Sequence, residues 1–130
     1  MYKKAIEYHL NDHRSFNNYA AILDKMLKEE EAEKLYLKAI EIKPRAKYYL
    51  NYGMMLYRMK RYEDALTQLQ KALSLDDEKS KIYKFLGKVY AKLGQIDEAI
   101  KTYKKGKKVD PYNFKMRRDY ANLLYDETLL

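Results

Sequence analysis

The 130-residue sequence contains no cysteine and no tryptophan, and it has only two prolines and four glycines. Without cysteine the chain can form neither a disulfide framework nor a thiolate metal site, which agrees with a reducing compartment. The scarcity of proline and glycine argues against β-sandwiches, β-barrels and long loops, whose turns depend on those residues. We therefore expect an all-α protein, and we predict a cytoplasmic location.

Long apolar segments are also missing from the sequence. No apolar run approaches the roughly 18 residues that a membrane-spanning helix needs, and the first twelve residues lack the apolar core of a signal peptide. Basic residues are in excess, because 27 Lys and Arg stand against 19 Asp and Glu, for a net charge of +8. A charge of this size favours acidic partners.

What the sequence does contain is an internal repeat. Gly53 and Gly87 are 34 residues apart, as are Ala65 and Ala99, and Ala20 precedes Gly53 by 33. Periods of this length indicate stacked supersecondary units. The predicted organisation of the single domain 1–130 is a half unit at 1–12, full units at 13–45, 46–79 and 80–113, and the terminal helix of a further half unit at 114–130.

Each full unit is predicted to contain two helices. In the third unit "SKIYKFLGKVYAKLG" forms helix A and "IDEAIKTYKKGKKVD" forms helix B, with Pro111 just beyond it. Gly87 is predicted to lie where the two helices cross, and Gly94 in the turn between them, where glycine suits a positive φ. Helix propensity alone predicts that alanine at Gly106 would stabilise the protein by up to about 1 kcal/mol. With the half units, eight helices are expected.

The residues at fixed positions in each unit carry a family resemblance. The third unit has Leu86 and Gly87 together, then Tyr90, Ala99 and Pro111. The other units carry related residues at these positions, although the second has Asp77 in place of the proline. This pattern resembles the tetratricopeptide repeat (TPR) family. The resemblance implies a right-handed α-solenoid of antiparallel helix pairs, because one pair cannot bury its apolar stripe alone. It also implies a non-catalytic scaffold for protein–protein interaction, with no cofactor.

By the same resemblance, helix A residues that packing leaves free line a concave groove. Most of the charged residues among them are basic, and such a face suits an acidic peptide or partner segment. An alternative is that these lysines only solvate the face of the repeat. The predicted peptide-binding residues are Asn17, Asn18, Lys47, Asn51, Met54, Tyr57, Arg58, Lys81, Lys84, Phe85, Lys88, Lys115 and Arg118.

One known binding mode of the family can be compared residue by residue. Family members that hold the C-terminal carboxylates of heat-shock chaperones use a clamp of Lys, Asn, Asn, Lys and Arg. Asn51 and Lys81 match two of these positions, whereas Asn17, Ala21 and Phe85 occupy the other three. The resemblance therefore does not extend to the chaperone clamp.

Three further interpretations of the sequence were weighed. Basic and aromatic residues mix at 101–118, so binding of RNA or another polyanion through the third repeat is the alternative function. His9 and His13 have the helical spacing of a metal pair, but they flank a predicted turn, and we predict no metal site. Repeat arrays normally end in polar faces, whereas both predicted end units carry apolar core residues, so self-association through open ends is also expected.

Overall fold

The computed structural model describes residues 12–129, and all regular secondary structure in that range is α-helical. The predicted first helix, at about residues 1–10, lies outside the described residues, and so does Leu130. The seven described helices are α1 His13–Lys25, α2 Glu29–Ile42, α3 Ala46–Arg58, α4 Tyr62–Leu75, α5 Ser80–Lys92, α6 Ile96–Val109 and α7 Phe114–Leu129.

The helices pack as consecutive pairs. α1 packs on α2, α3 on α4 and α5 on α6, each pair contacts the next through α2–α3 and α4–α5, and α7 packs against both α5 and α6. The chain is therefore an all-α solenoid of helix pairs, as the sequence predicted. In the earlier nomenclature α1, α3, α5 and α7 are the helices A, and α2, α4 and α6 are the helices B.

Small residues at repeated positions bring the paired helices close together. Large side chains pack around these small residues, as Leu69 of α4 does against Gly53 of α3, and both Leu56 and Leu69 have no exposed surface. This alternation of small and large residues is what allows ridges of one helix to enter grooves of the next. The alanines with no exposed surface are Ala20, Ala32, Ala39, Ala65, Ala72 and Ala99.

The turn from helix A to helix B has the same conformation in all three described pairs. Leu27, Lys60 and Gly94 have positive φ angles of 61°, 64° and 77°. In each turn an N–H bonds to the carbonyl five residues earlier, which closes the Schellman type of helix end. The positive φ predicted for Gly94 is confirmed, and the other two turns adopt it without glycine. The three bonds, each 2.9 Å long, are Lys28 to Leu23, Arg61 to Leu56 and Gln95 to Tyr90.

Two helical glycines are required by close packing. Gly87 lies at the crossing of α5 and α6, as predicted, and a Cβ there would overlap the ring of Tyr103. The prediction that alanine would stabilise position 106 is wrong. A Cβ on Gly106 would lie 2.5 Å from the sulfur of Met116 and 2.7 Å from the Cβ of Tyr83, so packing outweighs helix propensity.

Candidate functional site

The thirteen residues predicted to line the groove all lie on α1, α3, α5 and α7. Asn17 and Phe85 are not free groove residues, because their exposed fractions are only 2% and 9%. The other eleven are partly or fully exposed. The predicted surface is therefore largely available, although two of its members serve mainly as packing.

Two polar contacts join α1 to α3 across the predicted groove. The Asn51 side-chain amide donates to Oδ1 of Asn17 at 3.2 Å, and the Arg58 guanidinium forms an ion pair with Asp24. A recess of about 380 Å³ lies beside these contacts and also includes Met54 in its wall. Arg58, which the sequence offered as a free cation, is thus already paired.

An aromatic and cationic patch lies where α3 meets α5. The ring of Tyr57 meets the edge of Phe85, with 5.9 Å between centroids and an interplanar angle of 79°. The Lys88 ammonium lies 5.3 Å from the Phe85 centroid and 5.8 Å from that of Tyr57, and the Lys84 ammonium lies 5.4 Å from Phe85. These four residues are called the Tyr57–Phe85 patch below.

One acidic residue from α7 reaches the Tyr57–Phe85 patch. Oδ2 of Asp119 lies 3.7 Å from Nζ of Lys88, and this buried oxygen has no hydrogen-bond partner among the described residues. Lys88 therefore offsets the charge of a carboxylate that has one buried oxygen. This pairing joins α5 to α7, and residue positions within a single helix do not predict it.

The electrostatic environment of Lys84 reflects crowding of like charges. Burial lowers the pKa of Lys84 below its ordinary value, and the ammonium of Lys88 lowers it further, with smaller effects of Lys115 and Lys81. Asp119 acts in the opposite direction. The protonated form of Lys84 is thus disfavoured by its neighbours, and an anion placed among them would relieve this repulsion.

The basic residues proposed for the alternative function lie on α6. Lys104, Lys105, Lys107 and Lys108 are exposed, and Lys101 lies 3.8 Å from a carboxylate oxygen of Glu98. Among the described residues, the ammonium groups that lie over aromatic rings belong to Lys38, Lys71, Lys84 and Lys88, and to none of the α6 lysines. Their arrangement is that of a solvated helix face.

The described residues offer neither a cluster of metal ligands nor a membrane-spanning helix. Within residues 12–129 no three His, Asp or Glu side chains come together in a way that could hold a metal ion. None of the helices in this range has the length and apolar character needed to cross a membrane.

Comparison with known families decides the classification. The tetratricopeptide repeat model matches residues 44–110, and a second tetratricopeptide repeat model matches residues 13–45. The chain belongs to the tetratricopeptide repeat family. The fold of this family is generally a non-catalytic scaffold.

Two curated relatives show how much of a longer protein the chain resembles. It is 30% identical over 87 residues to small glutamine-rich tetratricopeptide repeat-containing protein 2 of Mycosarcoma maydis, covering 66% of this chain and 25% of that protein. It is 33% identical over 86 residues to heat shock protein STI1 of Saccharomyces cerevisiae, covering 65% of this chain and 15% of that protein. The chain thus matches a quarter or less of each.

Solved structures share the fold over nearly the whole TPR chain. Pseudomonas aeruginosa pilF superposes with a TM-score of 0.89 at 27% identity, covering 98% of this chain and 59% of that one. The first TPR of Spaghetti (RPAP3), bound to the HSP90 peptide SRMEEVD, superposes with a TM-score of 0.84 at 20% identity, covering 89% and 93% of the two chains. The second likeness concerns the fold alone.

Proposed function

We propose that this TPR chain is a non-catalytic protein-interaction scaffold that binds an acidic peptide segment along the concave face formed by α1, α3, α5 and α7. The observation that carries the proposal is the Tyr57–Phe85 patch, where two ammonium groups lie over two packed aromatic rings. A side chain entering this patch meets apolar surface and positive charge together. Family membership and the peptide-bound structure of a protein with the same fold support peptide binding.

The charge of the surrounding surface favours an acidic ligand. Lys81, Lys115 and Arg118 are exposed, and their side chains form no ion pair or hydrogen bond within residues 12–129. Burial, and then the ammonium of Lys88, already lower the pKa of Lys84 and so disfavour its charged form. A carboxylate bound here would gain Coulomb attraction while reducing repulsion among the lysines.

Apolar contact should supply much of the affinity. Charge complementarity mainly raises the association rate and selects the partner, whereas buried apolar surface slows dissociation. Met54 and Tyr57 are both partly exposed, Met54 in the wall of the recess beside Asn51 and Tyr57 in the Tyr57–Phe85 patch. We therefore expect acidic residues of the ligand to alternate with apolar ones.

The proposed ligand is an internal acidic segment and does not need a chain terminus. Ala21 and Phe85 stand where the chaperone clamp requires Asn and Arg, and Asn17 is buried against Asn51. A free terminal carboxylate therefore has no complete clamp here. The peptide SRMEEVD and its C-terminal amide should accordingly bind with similar affinity, whereas a version with both glutamates and the aspartate replaced by amides should bind more weakly.

Paired charge variants test the location of binding. Lys81→Gln with Lys84→Gln removes two groove cations, and Lys104→Gln with Lys105→Gln removes two from α6. Lys88 is kept, because its loss would leave the buried Asp119 carboxylate unpaired and would confuse folding with binding. Fluorescence anisotropy with labelled SRMEEVD should show weaker binding for the first variant by about tenfold and no change for the second.

The same variants separate the proposal from its alternatives. Equal affinity of both variants and the unmodified chain for the acidic peptide would contradict a groove site. If instead a single-stranded oligonucleotide binds and only the Lys104 and Lys105 variant loses it, with a steep dependence on salt, polyanion binding through the third repeat is the better account.

Self-association through the end of the array stays a prediction, and sedimentation of the free chain checks it.

A further inference from the structure

A second recess opens at the end of the concave face where the helices A begin. Its volume is about 370 Å³, and its wall includes Arg14 and Asn17 of α1, Lys47 of α3 and the residues preceding α3 and α5, Arg45 and Lys79. No acidic side chain of the described chain lines it. This space is called the Arg45 recess below.

The cations of the Arg45 recess have no partners in the described chain. Within residues 12–129 the side chains of Arg14, Arg45, Lys47 and Lys79 form no hydrogen bond and no ion pair. Arg58 and Lys88 of the same face differ from them, because Arg58 pairs with Asp24 and Lys88 with Asp119. Four positive charges around one recess therefore repel one another until an anion enters.

Among the helices A, two begin after a basic residue and two after a capping residue. Asp12 and Asn113 occupy the equivalent positions before α1 and α7, and their side-chain oxygens accept first-turn N–H groups at 2.9 Å and 3.1 Å. Arg45 and Lys79 form no such cap. A cation there also faces the positive end of the helix dipole, so the two middle units forgo a stabilising cap for a positive charge.

Asn17 supplies an independent sign of a ligand. The side chain of Asn17 is 2% exposed, and its Oδ1 accepts a hydrogen bond from the Asn51 amide. Its Nδ2 donor has no partner among the described residues. Ala46, the first residue of α3, also lines the recess, so uncapped N–H groups of a helix start lie at its wall. Donors and cations surround this space, and no carboxylate of the described residues lines it.

We propose that the Arg45 recess binds the phosphate of a phosphorylated side chain in a peptide lying along the groove, an inference that rests on the proposed function. A phosphoryl group carries about −1.5 to −2 charge and three acceptor oxygens, which matches four cations better than a single carboxylate does. Two arginines can hold such oxygens with paired N–H groups. The Asn17–Asn51 bond joins this recess to the one beside Met54, so a single extended peptide can reach both.

His13 offers a spectroscopic reporter of the recess. Its Nδ1 lies 2.5 Å from the hydroxyl of Tyr48, which lines the recess. Partial burial lowers the pKa of His13, and neighbouring charges act on it as well. Those charges are Arg45, Lys43 and Arg14, which lower the pKa, and Asp12, which raises it. A phosphate bound by Arg45 and Arg14 should therefore raise the pKa of His13.

The test compares a phosphorylated probe with matched controls. The full chain is titrated with SRMEEVD, with the same peptide phosphorylated on its serine, and with N-acetyl-phosphoserine amide and N-acetyl-aspartate amide. NMR follows the Asn17 side-chain amide and the His13 ring, and anisotropy gives affinities. The recess variant is Arg45→Asn with Lys79→Asn, which removes two cations and introduces residues able to cap, and the matched control is Lys104→Asn with Lys105→Asn.

The expected result is that phosphorylation strengthens peptide binding by roughly tenfold or more and that phosphoserine amide, unlike the aspartate compound, shifts Asn17 and raises the His13 pKa. The recess variant should lose this gain in affinity while its denaturation midpoint holds or rises, and the control variant should keep the gain.

If both peptides bind equally and the NMR signal of the Asn17 side-chain amide does not shift, the phosphate site is overturned while the groove stands. If unphosphorylated SRMEEVD does not bind the chain but phosphoserine amide still shifts the Asn17 signal, the groove proposal fails and the anion site survives. If the recess variant loses affinity for a single-stranded oligonucleotide as much as it loses affinity for the phosphopeptide, the assignment of the recess to a peptide is overturned.

Discussion

The Asn51 side chain donates a hydrogen bond to Asn17 from one repeat to the next, over a separation of 34 residues. The acceptor is almost fully buried, whereas the donor is partly exposed at the groove. This contact fixes the relative positions of α1 and α3. It also leaves the free donor of Asn17 at the Arg45 recess, so one bond serves both the wall of the groove and the proposed anion site.

We predict a measurable coupling between these two amides. Asn51→Ala leaves the buried Oδ1 of Asn17 without its donor and should lower the free energy of unfolding by about 1–2 kcal/mol. The double variant with Asn17→Ala should cost less than the sum of the single changes. Urea denaturation of the four proteins in the cycle measures the coupling, and additive effects would show that the bond does not contribute.

Packing at Gly106 gives a prediction opposite in sign to helix propensity. Gly106→Ala should lower the free energy of unfolding by about 1–3 kcal/mol, because Tyr83 and Met116 have no room for the added methyl group. Met116→Ala should relieve part of this clash in the double variant. A stabilised Gly106→Ala protein in thermal or urea denaturation would show that α7 does not close on α6 as described.

The turns with positive φ provide a matched pair of changes. Lys60 adopts φ 64° with a full side chain, so Lys60→Gly should stabilise the protein by about 0.5–1 kcal/mol through relief of strain. Gly94→Lys should destabilise it by about 1 kcal/mol for the same reason. Differential scanning calorimetry checks both, and shifts of the same sign in the two variants would contradict the shared turn geometry.

The lowered pKa of His13 predicts a dependence of stability on pH. Partial burial, with help from Arg45, makes the folded state bind a proton at His13 less readily than the unfolded state does. The unfolded chain therefore gains protons first as the pH falls, and the contribution present above the ordinary value of 6.5 is lost below it. Denaturation between about pH 5 and pH 7 should show a smaller slope in His13→Gln than in the unmodified chain. Identical slopes would mean that the folded environment does not disfavour His13 protonation.

The sequence predicted the features that recur in every helix pair. Helix order, the alanine positions and the turn at Gly94 follow from the period of 33 to 34 residues and from local helix chemistry. Contacts between units were not predictable in this way. The pairing of Lys88 with Asp119 and the tight packing around Gly106 depend on how α7 packs against α5 and α6. No local sequence pattern specifies that packing.

The Arg45 recess could have been found in the sequence from one signal. Arg45 and Lys79 stand 34 residues apart, at the position where Asp12 and Asn113 begin their helices. Basic residues at two successive cap positions contradict the usual preference for Ser, Thr, Asp or Asn. Arg45 and Lys79 are not among the predicted groove residues because they precede the helices A and do not lie within them.

The most direct measurement for the whole account is an NMR titration of the full chain with the acidic peptide SRMEEVD, with side chains and amides observed together. The account predicts that shift changes concentrate on the concave face, at Met54, Tyr57, Lys84 and Phe85, and that the exposed face of α6 around Lys104 and Lys105 is unaffected. Shift changes confined to α6, or no change at any peptide concentration up to the solubility limit, would contradict binding of an acidic segment in the groove.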